Sequence, residues 1–262
     1  MRFGLLATIV LSGAIGSIAS AQTSTGVDGQ KLINLDTPKV LAPGTGSVRL
    51  DFRAFGGDEG QTYGTVDLNY GFDKGLGILL RSSFSDTSTF LGQSFDIRHG
   101  GADWEALLKY SYPQISNLAL FGGLSVANTP AHRDVFGVVE AAYQYQFRAL
   151  VLYGNAKLVT GSDTTVFSLG AGASYDLGDG FQLIGDFTWP LSDDTTYSTT
   201  TGAAERDVLY GAALRYALPG FAPGQLTLDA GLTNALGGSS GFSVTPSLGS
   251  TVGLYLAATY RY

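Results

Sequence analysis

The sequence predicts an all-β fold, a single antiparallel up-and-down transmembrane β-barrel of about twelve strands that follows a cleaved signal peptide. Three observations predict it. From about Gly46 onward, apolar and small polar residues alternate with period two, as in a strand whose two faces meet different surroundings. Only 14% of the 262 residues are charged, against about 25% in ordinary soluble domains. No stretch after the first twenty residues approaches the roughly 20 apolar residues of a spanning helix, whereas barrel strands alternate and never show such a run.

The first segment, residues 1–21, reads as a signal peptide. Arg2 supplies the positive start, Leu5 to Ile18 is apolar or small, and Ala19-Ser20-Ala21 is a cleavage site, which puts the mature start at Gln22. Residues 22–45 read as an irregular periplasmic leader, polar at first and then Leu32-Ile33-Asn34-Leu35. Pro38 and Pro43 argue against regular structure there. A periplasmic tail and a segment tucked into a barrel mouth both fit this leader.

Residues 46–262 then divide into twelve alternating segments, near 46–55, 63–72, 76–85, 104–112, 117–127, 136–147, 149–160, 165–176, 180–191, 206–217, 224–235 and 251–262. Each is about the length a tilted membrane strand needs. The first offers Val48, Leu50 and Phe52 on one face, the ninth Phe181, Leu183, Phe187 and Trp189, the last Val252, Leu254, Leu256, Ala258, Tyr260 and Tyr262. Short turns (Asp73–Gly75, Pro113–Ser116, Arg148, Gly178–Gly180) generally alternate with longer polar loops. Short turns at one end and long loops at the other are the outer-membrane layout, and an even strand number puts both termini in the periplasm.

Period two does not say which face points out. Aromatic residues cluster at strand ends: Phe72, Tyr110, Tyr112, Tyr145, Phe147, Tyr175, Tyr216, Tyr260 and Tyr262 at one end, and Phe84, Trp104, Trp189 and Tyr210 at the other. Two girdles of amphipathic rings mark two membrane interfaces. The polar faces lack the crowd of Lys and Glu that a water-facing sheet needs, so they are expected to face a lumen. That face carries the candidate site, a set of eight basic and six acidic side chains: Arg49, Asp51, Arg53, Asp67, Arg81, Glu105, Lys109, Glu140, Arg148, Lys157, Asp186, Arg215, Asp229 and Arg261. Charges on a lumen wall tune selectivity in a pore. They can equally pair and stiffen a closed interior.

Other chemistry finds little material. There are no cysteines, so neither disulfides nor thiolate metal sites form. A net charge of −7 opposes nucleic-acid binding. The two histidines, His99 and His132, fall in long loops with Asp96, Asp103 and Asp134 near them, too little for a Ser/His lipid hydrolase. The loop carboxylates Asp58, Glu59, Asp163, Asp193 and Asp194 read as a solvated acidic rim, with Ca²⁺ or lipopolysaccharide-bridging cations as the alternative. Residues 195–201 read as an exposed Ser/Thr-rich loop. Gly170-Ala171-Gly172-Ala173 mimics a dinucleotide loop, but inside a strand its glycines are expected to make room in the lumen for a bulky neighbour.

Two resemblances go beyond the residue patterns. The final strand, apolar at every second place and ending on Tyr262, resembles the terminal signal of outer-membrane proteins, which implies recognition by the barrel-assembly machinery. Tyr70-Gly71-Phe72-Asp73-Lys74-Gly75-Leu76 resembles the strand–turn–strand signature of outer-membrane barrels assigned to phenol-degradation pathways and of related transporters. The stretch from Ile33 to Arg53, with Leu41-Ala42-Pro43-Gly44, is similar to the lead-in of such barrels. The resemblance implies a channel of undefined substrate and carries no site residues. The expectation is a non-enzymatic protein of the cell outer membrane, without cofactor or metal, acting as a narrow passive channel for small solutes amid lipid and lipopolysaccharide. A closed structural or adhesive barrel is the alternative, and an outer-membrane lipid hydrolase the less favoured third.

Overall fold

Alternation over segments of this length gives strands, and turn residues at their ends give hairpins. The computed structural model describes residues 30–56, 61–85, 102–112, 114–115, 117–128, 133–161, 165–191, 208–218, 224–235, 237 and 252–262. The strands are Gly46–Phe55 (β1), Gln61–Asp73 (β2), Leu76–Ser85 (β3), Ala102–Ser111 (β4), Leu118–Asn128 (β5) and Arg133–Phe147 (β6). Leu150–Thr160 (β7), Thr165–Gly178 (β8), Phe181–Pro190 (β9), Leu209–Leu218 (β10), Gln225–Thr233 (β11) and Gly253–Arg261 (β12) complete them. All twelve segments expected from the sequence are present, with ends shifted by a few residues.

Each strand pairs antiparallel with its neighbours in sequence, and β1 pairs with β12 from Ser47↔Arg261 to Ala54↔Leu254. The sheet is therefore a closed barrel in which every strand has two partners. Gly46 and Tyr262 complete the seam by exchanging backbone hydrogen bonds of 3.1 and 3.0 Å. Closure matters because hydrocarbon offers no partner to an open edge.

The tight turns show local chemistry at work. Asp179 and Gly180 both have positive φ (51° and 82°), as a type I′ hairpin requires, and its twist matches that of the flanking strands. Arg148 in the β6–β7 turn also has positive φ, at 56°.

The apolar face points outward. Leu254 and Leu256 are 47% and 42% exposed, while Arg49 and Lys157 are 5% and 3% exposed. A belt of exposed Leu, Val, Phe, Tyr and Trp surrounds the barrel. Phe72, Tyr110, Tyr112, Tyr145, Phe147, Tyr175 and Tyr262 are exposed at the end where β1 starts and β12 ends, and Trp104, Trp189 and Tyr210 at the other. A soluble barrel would reverse these exposures; this one is dressed for lipid.

The interior is less uniformly polar than the sequence suggests. Leu79, Leu107, Phe121, Phe136, Val138 and Val159 point inward from β3 to β7 and form one buried apolar cluster with Phe55 and Tyr63. A second cluster joins Ile184, Ala213, Tyr255 and Ala257 of the wall to Leu32, Ile33 and Leu35. Those three belong to the leader. Of the two courses open to it, the described part takes the inner one and goes further than a mouth. Gln30 to Thr37 lies buried within the barrel. A periplasmic position for the whole of 22–45 is corrected accordingly. Apolar Leu32-Ile33-Asn34-Leu35 would be costly in water, and the lumen offers it a covered place.

Residues 1–29 lie outside the described residues, and with them the expected signal peptide. So do His99, His132, Asp96, Asp58, Glu59, Asp163, Asp193, Asp194 and residues 195–201, together with the side chains of Phe84, Asp103 and Asp134.

Candidate functional site in the lumen

The leader reaches the lumen along β2. Gly44 and Gly71 exchange contacts through Gly44 N–H to Gly71 O (2.9 Å), and Gly71 N–H donates to Thr45 O (3.0 Å). A side chain at Gly71 would strike the carbonyls of Leu41 and Ala42, so glycine is required for this close approach. Further in, Lys31 and Asp36 form an antiparallel bridge. Leu32 N–H donates to Leu35 O (2.9 Å) and Thr37 N–H to Gln30 O (3.2 Å). The result is a small hairpin with Ile33 and Asn34 at its tip.

The wall satisfies the polar groups the hairpin leaves open. Asp186 Oδ2 accepts from the backbone N–H groups of Ile33 (2.8 Å), Asn34 (2.7 Å) and Leu35 (3.2 Å). Its Oδ1 accepts from Asn34 Nδ2 at 2.8 Å. Three arginines take three successive carbonyls. Arg215 donates to Lys31 O (2.8 Å), Arg49 to Leu32 O (3.4 Å) and Arg53 to Ile33 O (3.1 Å). Arg53 also donates to Asn34 Oδ1 and Ala235 O at 2.8 and 2.9 Å. Buried backbone groups must find partners, and here an unusual share of them are side chains from strands far away in sequence.

Ion pairs bind the hairpin to the opposite wall. Arg81 holds Asp36 (2.7 Å), Asp67 (2.7 Å) and Glu105 (2.9 Å). Lys157 meets Glu140 at 3.1 Å and Asp36 at 3.9 Å, and Lys31 meets Asp67 at 3.6 Å. A separate group joins Asp229 to Arg49 (2.8 Å) and Arg215 (2.7 Å), with Tyr255 hydrogen-bonded to Arg49. Polar contacts thus tie the hairpin to β1, β2, β3, β7, β9, β10 and β11. Held from so many sides, it spans the lumen. Beside it remains a cavity of about 10 Å³ touching Gln30, Lys31, Ser47, Arg49, Asp67 and Lys109, room for about one water.

Small wall residues shape the fit. A methyl group at Gly170 would collide with Leu35, at Gly172 with Leu32, and at Gly211 with Ile33. The room expected at Gly170 and Gly172 is there, and the leader's side chains fill it.

Twelve of the fourteen expected lumen charges are buried on the inward face. Two are placed otherwise. Arg148 is exposed in the β6–β7 turn, with its guanidinium 5.5 Å from the centre of the Phe147 ring. It does not line the lumen, because the tight turn ends the alternation there. Arg261 keeps the inward parity of β12 but lies half-buried at the barrel's end. Lys109 sits over the Phe121 ring at 4.8 Å. Sequence reasoning missed Lys31, Asn34 and Asp36, the leader's own polar contributions. Their signal was the apolar run between two opposite charges, in a leader with no other core to join.

No protein-family model matches the sequence. No curated protein matches it either. Solved structures do match by shape. The NanC porin aligns with a TM-score of 0.50 at 10% identity, over 82% of this chain and 98% of that one. The fold is that of an outer-membrane β-barrel. The KdgM porin, solved in complex with disordered oligogalacturonate, aligns with a TM-score of 0.51 at 11% identity, over 82% and 99%. An outer-membrane channel from Pseudomonas putida F1 covers 90% of this chain and 98% of its own at 14% identity, with a TM-score of 0.47. At such identities the likeness speaks for the fold alone. The closed barrel with its lipid-facing belt puts the protein in the cell outer membrane.

Proposed function

We propose that the protein is a passive outer-membrane channel for small solutes, held narrow by its own N-terminal hairpin, and does no covalent chemistry. The observation that carries this reading is the inward wall of charged side chains. Replacing buried ion pairs by well-packed apolar residues is often neutral or stabilising, because desolvation offsets the attraction. An interior needed only for rigidity would do better greasy. A wall that must stay wet when its plug shifts needs such groups. Balanced signs also let cations and anions pass without a deep trap for either. The neighbours NanC and KdgM are porins by name, which agrees with the proposal.

Planar-bilayer recording on the full chain tests it. Small, infrequent openings are expected, and larger ones after Leu32→Glu with Ile33→Glu, which makes burial of the hairpin costly. Silence of both proteins at every voltage would favour the second reading, a closed structural barrel, for which the occupied lumen speaks. The same proposal takes the final strand, ending on Tyr262, as the feature that the assembly machinery recognises.

A further inference from the structure

The manner in which the hairpin is held has a separate meaning. Beside the contacts to the side chains of Lys31, Asn34 and Asp36, the wall addresses the hairpin's backbone directly. Asp186 reads three successive N–H groups, of Ile33, Asn34 and Leu35. Arg215, Arg49 and Arg53 read three successive carbonyls, of Lys31, Leu32 and Ile33. Any peptide offers these groups. Selectivity enters through the hollows at Gly170, Gly172 and Gly211, each filled by one aliphatic side chain. Asp186 makes no ion pair among the described residues, and its four accepted bonds all come from the hairpin. Backbone bonding for affinity, with pockets for particular side chains, is how peptide-binding proteins work.

We infer that the lumen contains a binding site for short peptides with aliphatic side chains, occupied at rest by the chain's own Lys31–Asp36. The tether gives this occupant a high effective concentration, so a free peptide competes poorly until the tethered one is weakened. The inference stands whether or not the barrel conducts, since it concerns binding.

The experiment uses the full chain. Gln30→Cys introduces the sole thiol, as the sequence has no cysteine, and maleimide reaction there reports release of the hairpin. Leu32→Glu with Ile33→Glu spoils the tethered occupant and leaves the wall untouched. Leu32→Ser with Ile33→Ser replaces that pair if the glutamates prevent assembly, which heat-modifiable gel migration shows. A fluorescent octapeptide with the sequence of residues 30–37 is then titrated in detergent and read by anisotropy. Saturable binding is expected to the spoiled chain, and at least about tenfold weaker binding to the intact one. N-methylation of the three amides that face Asp186, or Asp186→Asn in the barrel, should weaken binding about tenfold or more. Three results overturn the inference: continued protection of residue 30 in the spoiled chain, release without peptide binding, or equal binding of a scrambled or N-methylated peptide.

Discussion

At the scale of single residues, Asp186 and Gly172 set how firmly the hairpin is held. Asp186 is acceptor-only, so four donors can converge on it. In Asp186→Asn, one oxygen becomes an NH2 that faces donors. Hydrogen bonds to charged groups contribute about 1.5–3 kcal/mol, and an unpaired buried donor carries a further penalty. The expected outcome is looser seating, read as faster maleimide reaction at a thiol placed by Gln30→Cys, with gel migration of the folded barrel unchanged. Gly172→Leu should act in the same direction by steric displacement of Leu32. The role of Gly170 and Gly172 was legible in the sequence as space on an inward face, but what fills that space was not. Leu35 and Gly170 are distant in the chain, and neither local propensity nor alternation links them. Arg148 shows the opposite failure. Counting by twos carried it into the lumen, and a two-residue turn with positive φ put it in the solvent.

Strands and turns are where the sequence was most informative. A membrane strand has one apolar and one polar face, so its register is fixed by the cost of a one-residue slip, which would turn every side chain to the wrong side. That is why twelve strands could be placed within a few residues. The leader follows no such rule. Its structure comes from contacts with Asp186, Arg81 and Arg215, far along the chain, and a pattern reading sees only an irregular segment. Turn chemistry also makes a prediction for an element. Gly180 has φ of 82°, where a Cβ is costly by about 1–2 kcal/mol, and a Cβ there would lie 3.0 Å from the carbonyl oxygen of Ala217. Gly180→Val is expected to destabilise the β8–β9 hairpin by at least that amount. The midpoint of urea unfolding in lipid vesicles would shift to lower urea; an unchanged midpoint would show that the turn does not govern the hairpin.

For the whole molecule, the inverted arrangement decides everything else, because it makes the bilayer the solvent of one face and the lumen that of the other. The two faces should answer differently to the same chemistry. Leu256 is exposed on the belt near the middle of β12. A charge there must be carried into hydrocarbon, so Leu256→Arg is expected to lower stability in lipid by roughly 2–4 kcal/mol. Asn155 lies on the inward face of β7, where its Nδ2 donates to Glu140 Oε1 at 2.8 Å. Asn155→Asp puts a charge there without a lipid penalty; it sets like charges together, and Lys157, which holds Glu140 at 3.1 Å, stands close by on the same face of β7. Its cost comes from that repulsion and should fall with added salt where water reaches the site, whereas the cost at Leu256 should not. Equilibrium folding into vesicles, run on both variants at low and high salt, separates the two solvents. An unchanged stability of Leu256→Arg in vesicles would mean that the faces have been assigned the wrong way round.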